Sequence, residues 1–144
     1  MGSEMCIRDR YLRSLDVDCK ISVYCAINES EDMNKVRTAV SNIVTDMDEK
    51  MTDDALVANS TNYESLTKIY EIMRSRRTKN AYRRHLMRNM TEDSTWFYLN
   101  KQAAFANVIA LCDEEEQSPL GAIKVVLHSQ NIEDVIDWFV SDIE

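Results

Sequence analysis

Hydrophobic and polar residues first fall into order at Cys19. From there Cys19, Ile21, Val23, Cys25 and Ile27 alternate with Lys20, Ser22, Tyr24 and Ala26. A period of two predicts a strand with one face buried more deeply than the other. Ser30 stands as an N-cap, followed by Glu31 and Asp32, whose charges suit a helix N-terminus. Met33, Val36, Val40, Ile43 and Val44 then recur at helical spacing, so a helix runs to about Val44. Two short strands at residues 46–50 and 55–58, turned by Thr52, Asp53 and Asp54, are the natural reading of the weaker pattern beyond.

Thr61-Asn62-Tyr63-Glu64 has the form of a capping box, with Leu66, Ile69, Tyr70 and Met73 as the apolar stripe behind it. The polar run 74–80 either links two helices or continues one. In the next helix Tyr82, Leu86 and Met90 recur every four residues and face the core. At 100° per residue, Arg84 and Arg88 lie opposite, joined by Arg77 if the helix starts early enough, with Arg83 and Arg76 at the flank. Three β-prone runs follow, at residues 95–99, 105–112 and 122–128. The acidic turn 113–117 and Ser118-Pro119-Leu120-Gly121 join the last two as an antiparallel pair. Asn131 caps a final helix that turns Ile132, Val135, Ile136 and Phe139 inward. The expected order is β-α-β-β-α-α-β-β-β-α, an α+β domain with a mainly antiparallel sheet covered by helices on one face.

Charge changes this picture more than length does. The 144 residues suit one domain, read as residues 11–144, and carry a net charge of −8. Yet residues 74–101 hold eight basic side chains (Arg74, Arg76, Arg77, Lys79, Arg83, Arg84, Arg88, Lys101) against Glu92 and Asp93, so this segment is +6 and the remainder −14. Attraction fades over a Debye length of about 8–10 Å, so one basic site survives in an acidic protein. Residues 1–10, with Met-Cys-Ile-Arg-Asp-Arg, resemble translated read-through of a sequencing adapter and are set apart from the fold as a non-native leader. The cysteines Cys6, Cys19, Cys25 and Cys112 form no C-x-x-C pair and are expected to be reduced and mostly buried. No apolar run approaches the roughly 18–20 residues that span a bilayer, and the expected location is cytoplasmic.

The stretch Thr95-Trp96-Phe97-Tyr98-Leu99-Asn100-Lys101-Gln102-Ala103-Ala104-Phe105 resembles the signature of a small archaeal family described as RNA-binding or exosome-associated. Ser118-Pro119-Leu120-Gly121-Ala122-Ile123 and Ile136-Asp137-Trp138-Phe139 stand where that family has its next two signatures, so the likeness runs from about Cys19 to Phe139. It departs at Ala122, where the family tends to have proline, and after Trp138, where the usual Ala-Pro is missing. The resemblance implies a fold similar to the ribosomal protein that binds 5S rRNA, a homodimer, RNA as partner and a place in an RNA-processing complex.

Candidate chemistry is then weighed residue by residue. Arg74, Arg76, Arg77, Lys79, Arg83, Arg84 and Arg88 form a ridge able to track RNA phosphates, since an arginine fork donates two hydrogen bonds. The alternative is a solvated helix face or a surface that meets an acidic protein partner. Asn100, Lys101 and Gln102 form a second candidate contact with RNA, or else a structural corner tied by the asparagine amide. Trp96 and Tyr98 share one face of their strand and Phe97 and Leu99 the other; one pair is core, and the other stacks on bases or lies in a dimer interface. Catalysis has little support. His85 and His128 stand apart from any metal-ligand spacing, Asp113-Glu114-Glu115-Glu116 reads as a solvated turn, and Gly121 is the one glycine after the leader. No enzyme activity, metal or cofactor is expected.

Overall fold

The computed structural model describes residues 18–75, 77–112 and 122–140. The leader 1–10, Arg76, the acidic turn 113–117 and residues 118–121 lie outside the described residues. Chain order is β1 (Lys20–Ala26), α1 (Met33–Ile43), β2 (Asp48–Met51), β3 (Ala55–Ser60), a 3-10 turn (Tyr63–Leu66), α2 (Thr67–Ser75), α3 (Lys79–Arg88), β4 (Ser94–Asn100), α4 (Lys101–Phe105), β5 (Leu111–Cys112), β6 (Ala122–His128) and α5 (Ile132–Val140). The strands form one antiparallel sheet in the order β2-β3-β1-β6-β4-β5.

The alternation predicted for the first strand holds. Ile21, Val23 and Cys25 are buried and meet Val125, Phe97, Leu99 and the apolar stripes of α1, α2, α3 and α5 in one continuous core. Because every one of those helices joins that core, they lie on a single side of the sheet. Tyr70, Tyr82, Phe97, Trp138 and Phe139 interlock at its centre with ring centroids 5.3–6.2 Å apart, mostly edge-on or tilted as ring quadrupoles favour.

Several expectations are corrected. The first helix is capped by Asp32, whose carboxylate accepts from the Asn34 amide, and not by Ser30. Likewise Asn62 rather than Thr61 caps the next segment, which begins as a 3-10 turn. The expected strand at 105–112 is mostly something else: residues 101–105 are a short helix, and only Leu111 and Cys112 pair as a strand. That strand does not pair with β6. It sits at the edge against β4, while β6 lies between β1 and β4. No helix among the described residues is long and apolar enough to cross a membrane.

Candidate nucleic-acid interface

Residues 74–88 carry seven basic side chains and no acidic one. They cover the end of α2, the connecting turn and all of α3. The turn has a Schellman closure: the Arg77 amide donates to Arg74 O at 3.2 Å and the Thr78 amide to Met73 O at 3.0 Å. Arg77 holds the left-handed position of that motif with φ 57°, where glycine is usual and a Cβ costs about 1 kcal/mol. The other positive-φ residues, Asp46 and Asn107, are types that tolerate this region.

Tyr82, His85 and Leu86 anchor α3 in the core, which leaves Arg84 and Arg88 one turn apart on its exposed side. Met90, the third residue of the expected stripe, is only half-buried. Thr95 Oγ1 donates to Leu86 O at 2.6 Å and Asn89 Nδ2 to Trp96 O at 2.9 Å, fixing the helix end against β4. Arg88 in the last turn suits the negative end of the helix. Lys79 with Arg83, and Arg84 with Arg88, are like-charged pairs four apart, each unfavourable by about 0.2–0.5 kcal/mol.

The structure sorts the predicted basic residues into three groups. Arg74, Arg77 and Lys79 come together around a shallow depression of about 350 Å³, with Asn80 completing its rim. The Arg74 guanidinium also lies 5.6 Å from the Tyr70 ring centroid, a cation–π contact that holds it in place. Arg84 and Arg88 lie further along α3 on its exposed side, while Arg77 stands in the turn, because α3 starts at Lys79, too late to include it. Arg83 is committed elsewhere: its Nη2 donates to Val140 O at 2.8 Å, closing the C-terminal end of α5. Beyond the end of α3, Glu92, Glu133 and Asp134 border a separate depression with Met90, and there the positive surface stops.

The second candidate, Asn100-Lys101-Gln102, is a structural corner. Asn100 Oδ1 accepts from the Ala103 amide at 2.9 Å and so caps α4. Lys101 is fully buried, its Nζ 2.6 Å from Ala26 O and 3.0 Å from Glu31 Oε1. Glu31 also accepts from the backbone and side-chain nitrogens of Asn28 at 2.9 Å. The expectation that Lys101 contacts RNA is therefore corrected: its ammonium is spent inside the fold. Gln102 alone of the three is exposed.

Cys19, Cys25 and Cys112 are buried thiols. Burial pushes Cys19 and Cys25 up to about 11, with the Lys101 ammonium opposing the rise at Cys25. Tyr82 is pushed well above the ordinary phenol range by burial alone. His128 Nε2 lies 3.8 Å from Asp93 Oδ2 at the surface. Among the described residues no group of three metal-ligating side chains converges.

Known proteins show a family likeness over most of the chain. The model of a family described as RNA binding matches residues 20–129. A UPF0201 protein of Saccharolobus islandicus is 34% identical over 123 residues, covering 83% of this chain and 85% of the relative. A UPF0201 protein of Methanothermobacter thermautotrophicus is 36% identical over 124 residues, covering 86% and 92%. The crystal structure of a UPF0201 protein from Methanococcus jannaschii superposes with a TM-score of 0.73 over 87% of this chain and 95% of that one, at 24% identity, which speaks to the fold.

Proposed function

We infer, from the premise that this chain belongs to the archaeal UPF0201 family, whose model is described as RNA binding, that it binds RNA without chemistry of its own. The observation that carries this reading is a run of seven basic side chains and no acidic one at residues 74–88, with Arg77, Arg84 and Arg88 exposed, in a protein of net charge −8. A helix studded with like charges is unfavourable in isolation, and a polyanion relieves it by replacing repulsion with phosphate contacts. Arg77, Arg84 and Arg88 are the exposed phosphate contacts, and Arg74 and Lys79 support them across the depression. Arg76 belongs to the same run and Gln102 is peripheral, while Asn100 acts through the cap it forms on α4. Arg83, tied to α5, acts by holding the helix in place.

The finer expectations of the resemblance belong to this reading too: a fold like that of the 5S-rRNA-binding ribosomal protein, a homodimer, a role in an RNA-processing complex and a cytoplasmic location. The test is RNA affinity of Arg77→Glu/Arg84→Glu/Arg88→Glu against the parent, measured beside an assay of self-association. A loss of at least tenfold with self-association intact is expected. Unchanged RNA affinity with lost self-association would instead assign the basic surface to assembly with another copy or an acidic partner.

A further inference from the structure

The sheet has a second side that no helix covers among the described residues. Strand registers place Lys50, Val57, Tyr24, Lys124 and Tyr98 in one row across it, and Asp48, Asn59, Ser22, Val126 and Trp96 in the next. None of these belongs to the hydrophobic core, and Asp48, Lys50 and Tyr24 are exposed, whereas Cys112 beside Tyr98 and Ala55 and Ala122 towards that end of the sheet are buried on the same side. Tyr24 is 47% exposed in the middle of the sheet. Lys124 lies directly across from it, and its ammonium rests 4.8 Å from the Trp96 ring centroid. Ser22 Oγ donates to Asn59 Oδ1 at 2.8 Å, which orients the asparagine amide on the same surface.

We propose that this open face takes unstacked bases of single-stranded RNA, with Tyr24 and Trp96 as stacking platforms and Lys50 and Lys124 as phosphate contacts. The proposal rests on the RNA-binding reading above but uses a surface on the other side of the sheet from α3. Aromatic rings on an open sheet suit bases in general, because every base presents a π face. Charge agrees: the face carries Lys20, Lys50 and Lys124 against Asp48, while the whole chain is −8. A twofold contact between copies fits less well. Its two patches would be identical, so the three lysines of each would have a single carboxylate of the other to meet, and most would be buried without partners. In the free protein Lys124 covers the Trp96 ring; a base arriving there displaces the ammonium towards the adjoining phosphate.

Trp96 and Trp138 are the two tryptophans of the chain, and Trp138 is 4% exposed in the core, so fluorescence separates them. The experiment titrates the full chain with a single-stranded ten-residue oligoadenylate and with a duplex RNA of equal length. Single-stranded RNA is expected to quench Trp96 emission, with the quench absent in Trp96→Phe. Tyr24→Ser is expected to weaken oligoadenylate binding roughly 5- to 150-fold, the range for losing one stacked base. Its duplex affinity stays within about twofold, and Tyr24→Phe behaves as the parent. Duplex binding that depends on Arg84 and Arg88, without quenching or any Tyr24 dependence for the single strand, would overturn this proposal and leave the basic-helix reading standing. Loss of self-association in Tyr24→Ser at unchanged oligoadenylate affinity would assign the face to a second copy. A parent that binds neither RNA would overturn both.

Discussion

Arg77 separates stability from binding at a single position. Its left-handed backbone calls for glycine, so a basic side chain there is retained at a cost to the fold. Arg77→Gly is expected to raise stability by about 1 kcal/mol, read as a higher midpoint in urea, while RNA affinity falls. A gain in both would remove Arg77 from the binding surface. Lys101 is the converse case. Lys101→Met leaves the Glu31 carboxylate buried beside apolar groups and is expected to cost about 3–5 kcal/mol, and Lys101→Met/Glu31→Gln recovers much of that loss. Neither variant should alter RNA affinity once stability is restored by low temperature. Lysine is rarely fully buried, so nothing in the amino-acid order distinguished Lys101 from its exposed neighbours; its partner Glu31 lies 70 positions away. The thiols of Cys19 and Cys25 add a pH dependence whose sign follows from their raised values. The unfolded thiol ionises near 9.0 and the folded one near 11, so the folded state holds its protons longer. Stability is therefore whole below pH 9 and falls as pH rises towards 11. Denaturant titrations at pH 8 and pH 10.5 check this, with Cys19→Ala/Cys25→Ala expected to flatten the difference.

Short elements were the least legible and long ones the most. The alternation of β1, the stripes of α1, α2 and α5 and the strand at β4 follow directly from period and propensity, because each buries its apolar set in one core. The helix α4 escaped that logic. Five residues are too few for a period, and the apolar stretch beginning at Phe105 reads equally well as a strand. Its real signal was Asn100, an N-cap placed immediately before Lys-Gln-Ala-Ala-Phe. Asn100→Ala is expected to destabilise the protein by about 0.5–2 kcal/mol with RNA binding unchanged, measured by thermal unfolding beside an affinity assay. An affinity loss larger than the stability change explains would make the corner a contact after all. Caps shifted for a related reason: Asp32 and Asn62 are nearer to their helices than Ser30 and Thr61, and the closer acceptor reaches the free amides.

At the scale of the molecule, strand order was what the sequence could not convey. Placing β6 between β1 and β4 depends on its pairing with β1, where Cys25 meets Ile123 and Lys20 meets His128 from opposite ends of the chain, which no local pattern encodes. That order sets a basic helical side against a side that carries Tyr24 and Trp96, and it decides which pair of β4 is core: Phe97 and Leu99, with Trp96 and Tyr98 half-buried on the other side. The basic ridge itself was visible from composition, whereas the withdrawal of Arg83 and Lys101 into structural bonds was not. The central claim is that arginines on α3 neutralise RNA phosphates, and the salt dependence of RNA affinity measures that number directly. Affinity for RNA is expected to fall linearly on logarithmic axes as salt rises, with a slope reduced by roughly 1.4–1.8 in Arg84→Gln/Arg88→Gln, the loss of two phosphate contacts. A slope identical in parent and variant would contradict the account.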